Sequence, residues 1–169
     1  MEALKRVSPE KVGIHSQCIV DFIRQVRAEG IELHSLMILR HGKVCEEAWW
    51  KPYDSGTPQT MFSFSKSITS TAVGFAVQEG LLSLDEKLVD LFPNETPENP
   101  SENVKAADVY SLLTMSCGQD SDIYYKLKSY DHWIYDFMHA EFKYKPGTMF
   151  QYNSTGTDML CAIIKKKTG

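Results

Sequence analysis

Residues 61–70 read MFSFSKSITS, five serines or threonines packed around one lysine and flanked by apolar residues. Ser and Thr are mediocre helix formers because their hydroxyls compete for backbone hydrogen bonds. Helix stability alone does not ask for this composition. Yet Phe64, Ile68, Ala72, Phe75 and Ala76 recur at helical spacing as far as Gly80, which predicts a helix with these residues as its apolar stripe. Residues three apart share a helix face, so Ser63 and Lys66 of the S-x-x-K tetrapeptide bring hydroxyl and amine within bonding range. A serine is a poor nucleophile until a neighbour takes its proton. Lysine can do so if its pKa falls from about 10.4 towards neutrality, roughly 3 units or about 4 kcal/mol. Burial against Phe62 and Phe64 would drive that fall, and a helix N-terminus favours negative charge developing on the serine oxygen.

The tetrapeptide is weak evidence by itself. With fifteen serines and fourteen lysines in 169 residues, about one S-x-x-K arises by chance. A second one, Ser8-Pro9-Glu10-Lys11, lies in a polar, proline-bearing lead-in and reads as capping or turn formation. Context favours Ser63.

Working outward, residues 16–29 place Ile19, Phe22, Ile23 and Val26 on one face of a helix, with Ser16 as N-cap and Gly30 as the stop. The runs LHSLMILR and KVCEEAWW flank His41-Gly42 and read as a β-hairpin. Ser83-Leu84-Asp85-Glu86 reads as a capping box opening a short helix with Leu84, Leu88 and Leu91, and residues 93–103 as a polar loop. Helices are expected over 107–114, 130–140 and 155–167. The three lysines closing the last one read as a solvated helix end. The organisation expected is an N-terminal helix and hairpin over 1–56, then a mainly helical region over 57–169, an α+β chain.

Residues 145–156, KPGTMFQYNSTG, carry a Pro-Gly turn and a short apolar approach before Tyr152-Asn153-Ser154 opens the final helix. A tyrosine held between a turn and a helix start can point its phenol into a cleft. Alternatively Tyr152 is a half-buried core aromatic and Ser154 a helix N-cap.

Composition excludes several classes. The net charge is −4, with no basic block except Lys165–Lys167, which argues against a nucleic-acid surface. No apolar run approaches membrane-spanning length, and the polar N-terminus shows no secretory signal, so the reading is cytoplasmic with no membrane partner. Cys18, Cys45, Cys117 and Cys161 are scattered without C-x-x-C or histidine spacing, so neither metal nor cofactor is expected. A Ser-His-Asp hydrolase lacks its G-x-S-x-G elbow here.

The blocks LMILRHGKVCEEAWW, FSFSKSITSTAVGFAVQEGLLSLDEKLVDLFP, SLLTMSCG and KPGTMFQYNSTG, in this order, resemble the serine β-lactamase and penicillin-binding-protein superfamily. The likeness is to its class C β-lactamase-like branch, with esterases and 6-aminohexanoate-dimer hydrolases. It implies a partial β-lactamase/transpeptidase-like fold with the later sheet strands absent, and an enzyme acting on a small ester or amide through an acyl-enzyme. It further implies that Ser63 is the acylated nucleophile and that Lys66 and Tyr152 share the acid and base work. Ser154 falls where the family's Y-x-N motif has its asparagine, and so would touch substrate. Lys167-Thr168-Gly169 spells the family's K-T-G but lies too close to Ser154 and on a helix, so the match is rejected. The alternative function is a non-catalytic binding or regulatory module, or a fragment needing a complementary chain. Two strands leave an open sheet edge, and the expectation is either self-association through it or a poorly ordered hairpin, with the region 60–169 the more stable.

Overall fold

The computed structural model describes residues 3–127 and 131–169. Its contacts divide the chain into two units, Met1–Thr60 and Met61–Gly169, each with its own interior.

In the first unit, helix α1 spans Ser16–Ala28, and strands β1 (Ser35–Arg40) and β2 (Lys43–Trp49) pair antiparallel. The turn falls at His41-Gly42, whose φ angles of 51° and 69° are both positive. That twist joins two antiparallel strands without splaying them. Ile19 and Val26 of α1 are buried as its periodicity predicts, while Phe22 is exposed. Ser16 is the first helical residue rather than the cap, and its backbone N–H donates to Glu10 Oε1 at 3.0 Å. Ser8 heads a 3-10 turn over Pro9–Val12 without a side-chain cap bond, so the second S-x-x-K is a turn. The hairpin is less bare than expected: Val7 N donates to Val44 O at 3.0 Å and Val44 N to Lys5 O at 2.8 Å. Among the described residues no strand lies along the outer edge of β1.

The second unit is helical: α2 (Ser65–Gln78), α3 (Leu88–Leu91), α4 (Glu102–Ala106), α5 (Val109–Leu113), α6 (Trp133–His139) and α7 (Ser154–Thr168). Residue 130, where the sixth helix was expected to start, lies outside the described residues. Val73 and Ala76 of α2 join Leu88, Val109, Leu112, Phe137, Met138, Met159, Leu160 and Ile163 in one buried cluster. The expected α2 stripe is therefore corrected in part: Ala76 is buried, but Phe64, Ile68 and Phe75 are exposed. The helix is apolar on two faces, and 3.6-residue periodicity alone does not say which face packs.

The expected capping box is half formed. Glu86 Oε1 accepts from Ser83 N at 2.8 Å, but the helix waits until Leu88. Residues 84–88 spend their backbone on a neighbouring segment instead, through Tyr110 N to Leu84 O at 2.8 Å and Leu88 N to Ala107 O at 3.0 Å. The lysines of α7 lie at an end that is largely exposed, as expected, but two of them also reach back: Lys166 Nζ donates to Leu91 O, and Lys167 pairs with Glu86 at 2.5 Å. They tie α7 to the segment that α3 ends.

Two outcomes are expected. Phe137, fully buried and 5.7 Å edge-on from Phe142, should cost about 3–5 kcal/mol when cut to alanine, read by urea unfolding followed through Trp133 fluorescence. Amides of residues 34–50 should exchange faster than those of α2 in dilute solution, and slow with concentration if chains pair along β1.

Candidate active site

Ser63 lies in a 3-10 turn, Phe62–Phe64, that runs directly into α2. Phe62 has a φ of 44°, a left-handed conformation that costs a bulky residue of order 1–3 kcal/mol. The turn leaves the Phe62 ring 82% exposed, with Phe64 also exposed. Apolar burial of Lys66 by these two rings, expected from sequence, is therefore not what surrounds it.

Two donors converge on the serine oxygen. Tyr152 OH donates to Ser63 Oγ at 2.7 Å, across 89 residues of sequence, and Lys66 Nζ donates to the same atom at 3.3 Å. The ammonium also stands 5.1 Å from the Tyr152 ring centroid. The Tyr152 phenol is held below the usual tyrosine range, first by its bond to the Ser63 hydroxyl and then by Lys66. When the phenol ionises, the serine hydroxyl can turn and donate to it, which is why that bond favours the charged form.

Tyr152 is placed by the chain ahead of it. Tyr144 N donates to Gly118 O at 2.9 Å, Gly147 N to Ser116 O at 2.8 Å and Gln151 N to Met115 O at 2.8 Å, lacing 144–151 along 115–118. Gly118 is required there: its φ is 108°, and a Cβ would stand 2.3 Å from the Tyr144 carbonyl oxygen. No side chain fits such a gap.

The residue after Tyr152 is fixed in the interior. Asn153 is 2% exposed; its Oδ1 accepts from Gly156 N at 2.7 Å and caps α7, while its Nδ2 donates to Gln119 Oε1 at 2.8 Å. Gln119 Nε2 in turn donates to Phe137 O at 3.2 Å. The cap is Asn153, not Ser154.

Ser154 opens α7 half-buried, and its backbone N–H donates to Asp122 Oδ2 at 2.5 Å. Among the described residues the structure shows no bond from Ser154 to Ser63, Lys66 or Tyr152. Asn153, Gln119 and Asp122 were missed by sequence reasoning. Asn153 sat inside a quoted motif and had the capping chemistry, whereas nothing local marks Gln119 or Asp122. Lys167 and Thr168 end α7, as the rejected K-T-G match implied. Among the described residues no cluster of three or more His, Cys, Asp or Glu is placed to hold a metal, and no helix is long and apolar enough to cross a membrane.

The sequence profile of the β-lactamase family matches residues 19–169. The chain belongs to this family. A Dichelobacter nodosus protein described as a fimbrial assembly protein, FimD of serogroup H1, is 28% identical over 88% of this chain and 42% of its own length. A penicillin-binding-protein homologue from Pyrococcus abyssi superposes with a TM-score of 0.65 at 28% identity, covering 92% of this chain and 40% of its own. A class C β-lactamase solved with cefoxitin gives 0.71 at 21% identity, covering 91% and 45%. The fold is thus a partial β-lactamase/transpeptidase-like α+β fold. The chain spans about two-fifths of the length of its FimD relative.

Replacing Ser63 with alanine removes the first cause of the lowered Tyr152 pKa, and Lys66→Met removes the second. Each should raise the Tyr152 titration towards about 10, read by NMR of ring-labelled tyrosine with Tyr152→Phe assigning the signal.

Proposed function

We propose that this family member is a serine hydrolase that cleaves a small ester or amide through an acyl-enzyme on Ser63. The observation that carries the reading is the convergence of Tyr152 OH and Lys66 Nζ on one serine oxygen at 2.7 and 3.3 Å. In the reacting form Tyr152 is the phenolate, and its lowered pKa makes that form accessible. Ser63 Oγ attacks the substrate carbonyl while its proton moves to the phenolate. The proton then passes to the departing alkoxide or amine as the carbonyl–leaving-group bond breaks. Lys66 Nζ donates to the serine oxygen and steadies the negative charge as the proton passes between the two oxygens. Water next loses a proton to the same Tyr152–Lys66 pair and attacks the acyl carbon, and Ser63 regains its proton as the acid product leaves.

Ser154, in the position of the family's asparagine, would contact substrate from the start of α7. With serine in place of an amide, this contact offers one hydroxyl rather than both an amide donor and a carbonyl acceptor. Esters and simple amides need less of such recognition than a β-lactam carrying a side-chain amide.

A fluorophosphonate should label wild-type protein at a single site, with Ser63→Ala abolishing labelling and Ser8→Ala leaving it unchanged. Intact mass and peptide mapping give the readout. Because the base is the deprotonated phenol, the labelling rate should rise with pH through a midpoint below about 10, the ordinary tyrosine value. A binding module would stay unlabelled, and equal loss in both alanine variants would remove Ser63 from the role. Hydrolysis of p-nitrophenyl acetate should follow the same order among variants.

A further inference from the structure

We infer that Asp122 is the positioning residue for Tyr152: it clamps the first turn of α7 so that the phenol meets Ser63. The role rests on the reading of Tyr152 as the proton acceptor for Ser63. Asp122 belongs to no helix or strand, yet its carboxylate gathers four donors. Oδ1 accepts from Thr155 Oγ1 at 2.7 Å, from Tyr124 N at 3.0 Å and from Thr155 N at 3.3 Å, while Oδ2 accepts from Ser154 N at 2.5 Å. Two of these are the first N–H groups of α7, which have no partner within the helix. Thr155 is fully buried, so its hydroxyl reaches no solvent and is committed to the carboxylate.

The clamp acts beside a second anchor. Asn153 satisfies the Gly156 N–H and ties to Gln119, fixing the residue after Tyr152 from the interior. Asp122 fixes the two residues beyond it. Between the laced 144–151 segment and these two anchors, Tyr152 keeps only its own side-chain rotation. A negative charge at a helix N-terminus is electrostatically favoured, so the clamp is held by charge as well as by geometry. Burial would raise the Asp122 carboxyl pKa, but its donors outweigh that and hold it below the usual range. The carboxylate is therefore ionised wherever the phenol is to work.

The charged groups bearing on the Tyr152 phenol are Lys66 from α2 and Asp122 from the loop, and Asp158 of α7 interacts in turn with both of these. Their effects separate the positioning role from a simple charge effect. Removing the negative charge alone would lower the tyrosine pKa further, since Asp122 raises it. Losing the Ser63 bond would raise it, and that bond is the larger effect. Asp122→Asn keeps the shape but turns an amide towards the donors of α7, and Thr155→Val removes a single clamp bond with little change in volume.

The experiment is the NMR titration of Tyr152 in the full chain, alongside the rate of Ser63 labelling by fluorophosphonate. In Asp122→Asn the Tyr152 pKa should rise towards about 10 and labelling at neutral pH should fall about tenfold or more. Thr155→Val should move both in the same direction by less, and it decides alone if Asp122→Asn fails to fold. Ser101→Ala removes a cap from α4, whose Oγ accepts from Val104 N at 3.3 Å; it should lower stability and leave both readouts unmoved. A Tyr152 titration that stays in place or moves down in the variants overturns the positioning role. Wild-type protein that resists labelling would defeat the hydrolase reading instead, and the titration would still decide the role of Asp122.

Discussion

Helix α2 follows directly from Ser63 and carries Lys66, and α7 begins two residues after Tyr152, so the distance between hydroxyl and phenol is set by how these helices pack. Val73 and Ala76 on one side and Met159, Leu160 and Ile163 on the other belong to the same buried cluster. Each buried Val, Met, Leu or Ile side chain there contributes about 1.5–3 kcal/mol, and Ala76 less. A Thr69 Oγ–Cys161 Sγ contact of 3.4 Å also bridges the two helices. The packed interface gives the site its rigidity, and a shift of about 1 Å at a reacting group can cost about a hundredfold in rate.

The second feature of the unit is the number of polar groups in its interior. Ser111, Gln119, Asn153, Thr155 and Thr157 are all buried, and among the described residues no buried side-chain polar atom lacks a partner. Leaving one such group unsatisfied costs about 1–3 kcal/mol. These residues cluster around the start of α7 and around α5, where Asp108 and Ser111 complete a reciprocal cap. An apolar interior of equal volume would be stable but would tolerate several registers of α7. The hydrogen bonds select one.

Much of this was legible in the sequence where chemistry and periodicity coincide. The hairpin turn at His41-Gly42, helix α1, the last helix and the pairing of Ser63 with Lys66 follow from local patterns that the tertiary structure leaves intact. The approach of Tyr152 to Ser63 was expected only through the order of motifs. What misled were segments whose local preference was overruled at long range. Residues 83–86 have a capping sequence, but residues 84–88 give their backbone to 107–110, and Lys166 and Lys167 end a helix yet reach back to Leu91 and Glu86. The face of α2 was misread in part: Ala76 of the expected stripe is buried, but Phe64, Ile68 and Phe75 share the apolar character of Val73 and are exposed, and size does not reveal burial. Asp122 had no local signature at all, since its donors lie more than thirty residues away in the case of Ser154 and Thr155.

The bond between Tyr152 and Ser63 closes a loop of 89 residues, and that span governs when the site can appear as the chain folds. Bringing such distant segments together carries an entropy cost that grows with the logarithm of the separation, and long-range contacts of this kind tend to form late. The individual helices can fluctuate into existence earlier, on sub-microsecond timescales. A chain caught midway would show helical circular dichroism with Tyr152 unperturbed and not yet bonded to Ser63. The Tyr152–Ser63 bond is thus a stricter reporter of the native state than helix content, because it registers the joining of segments 89 residues apart.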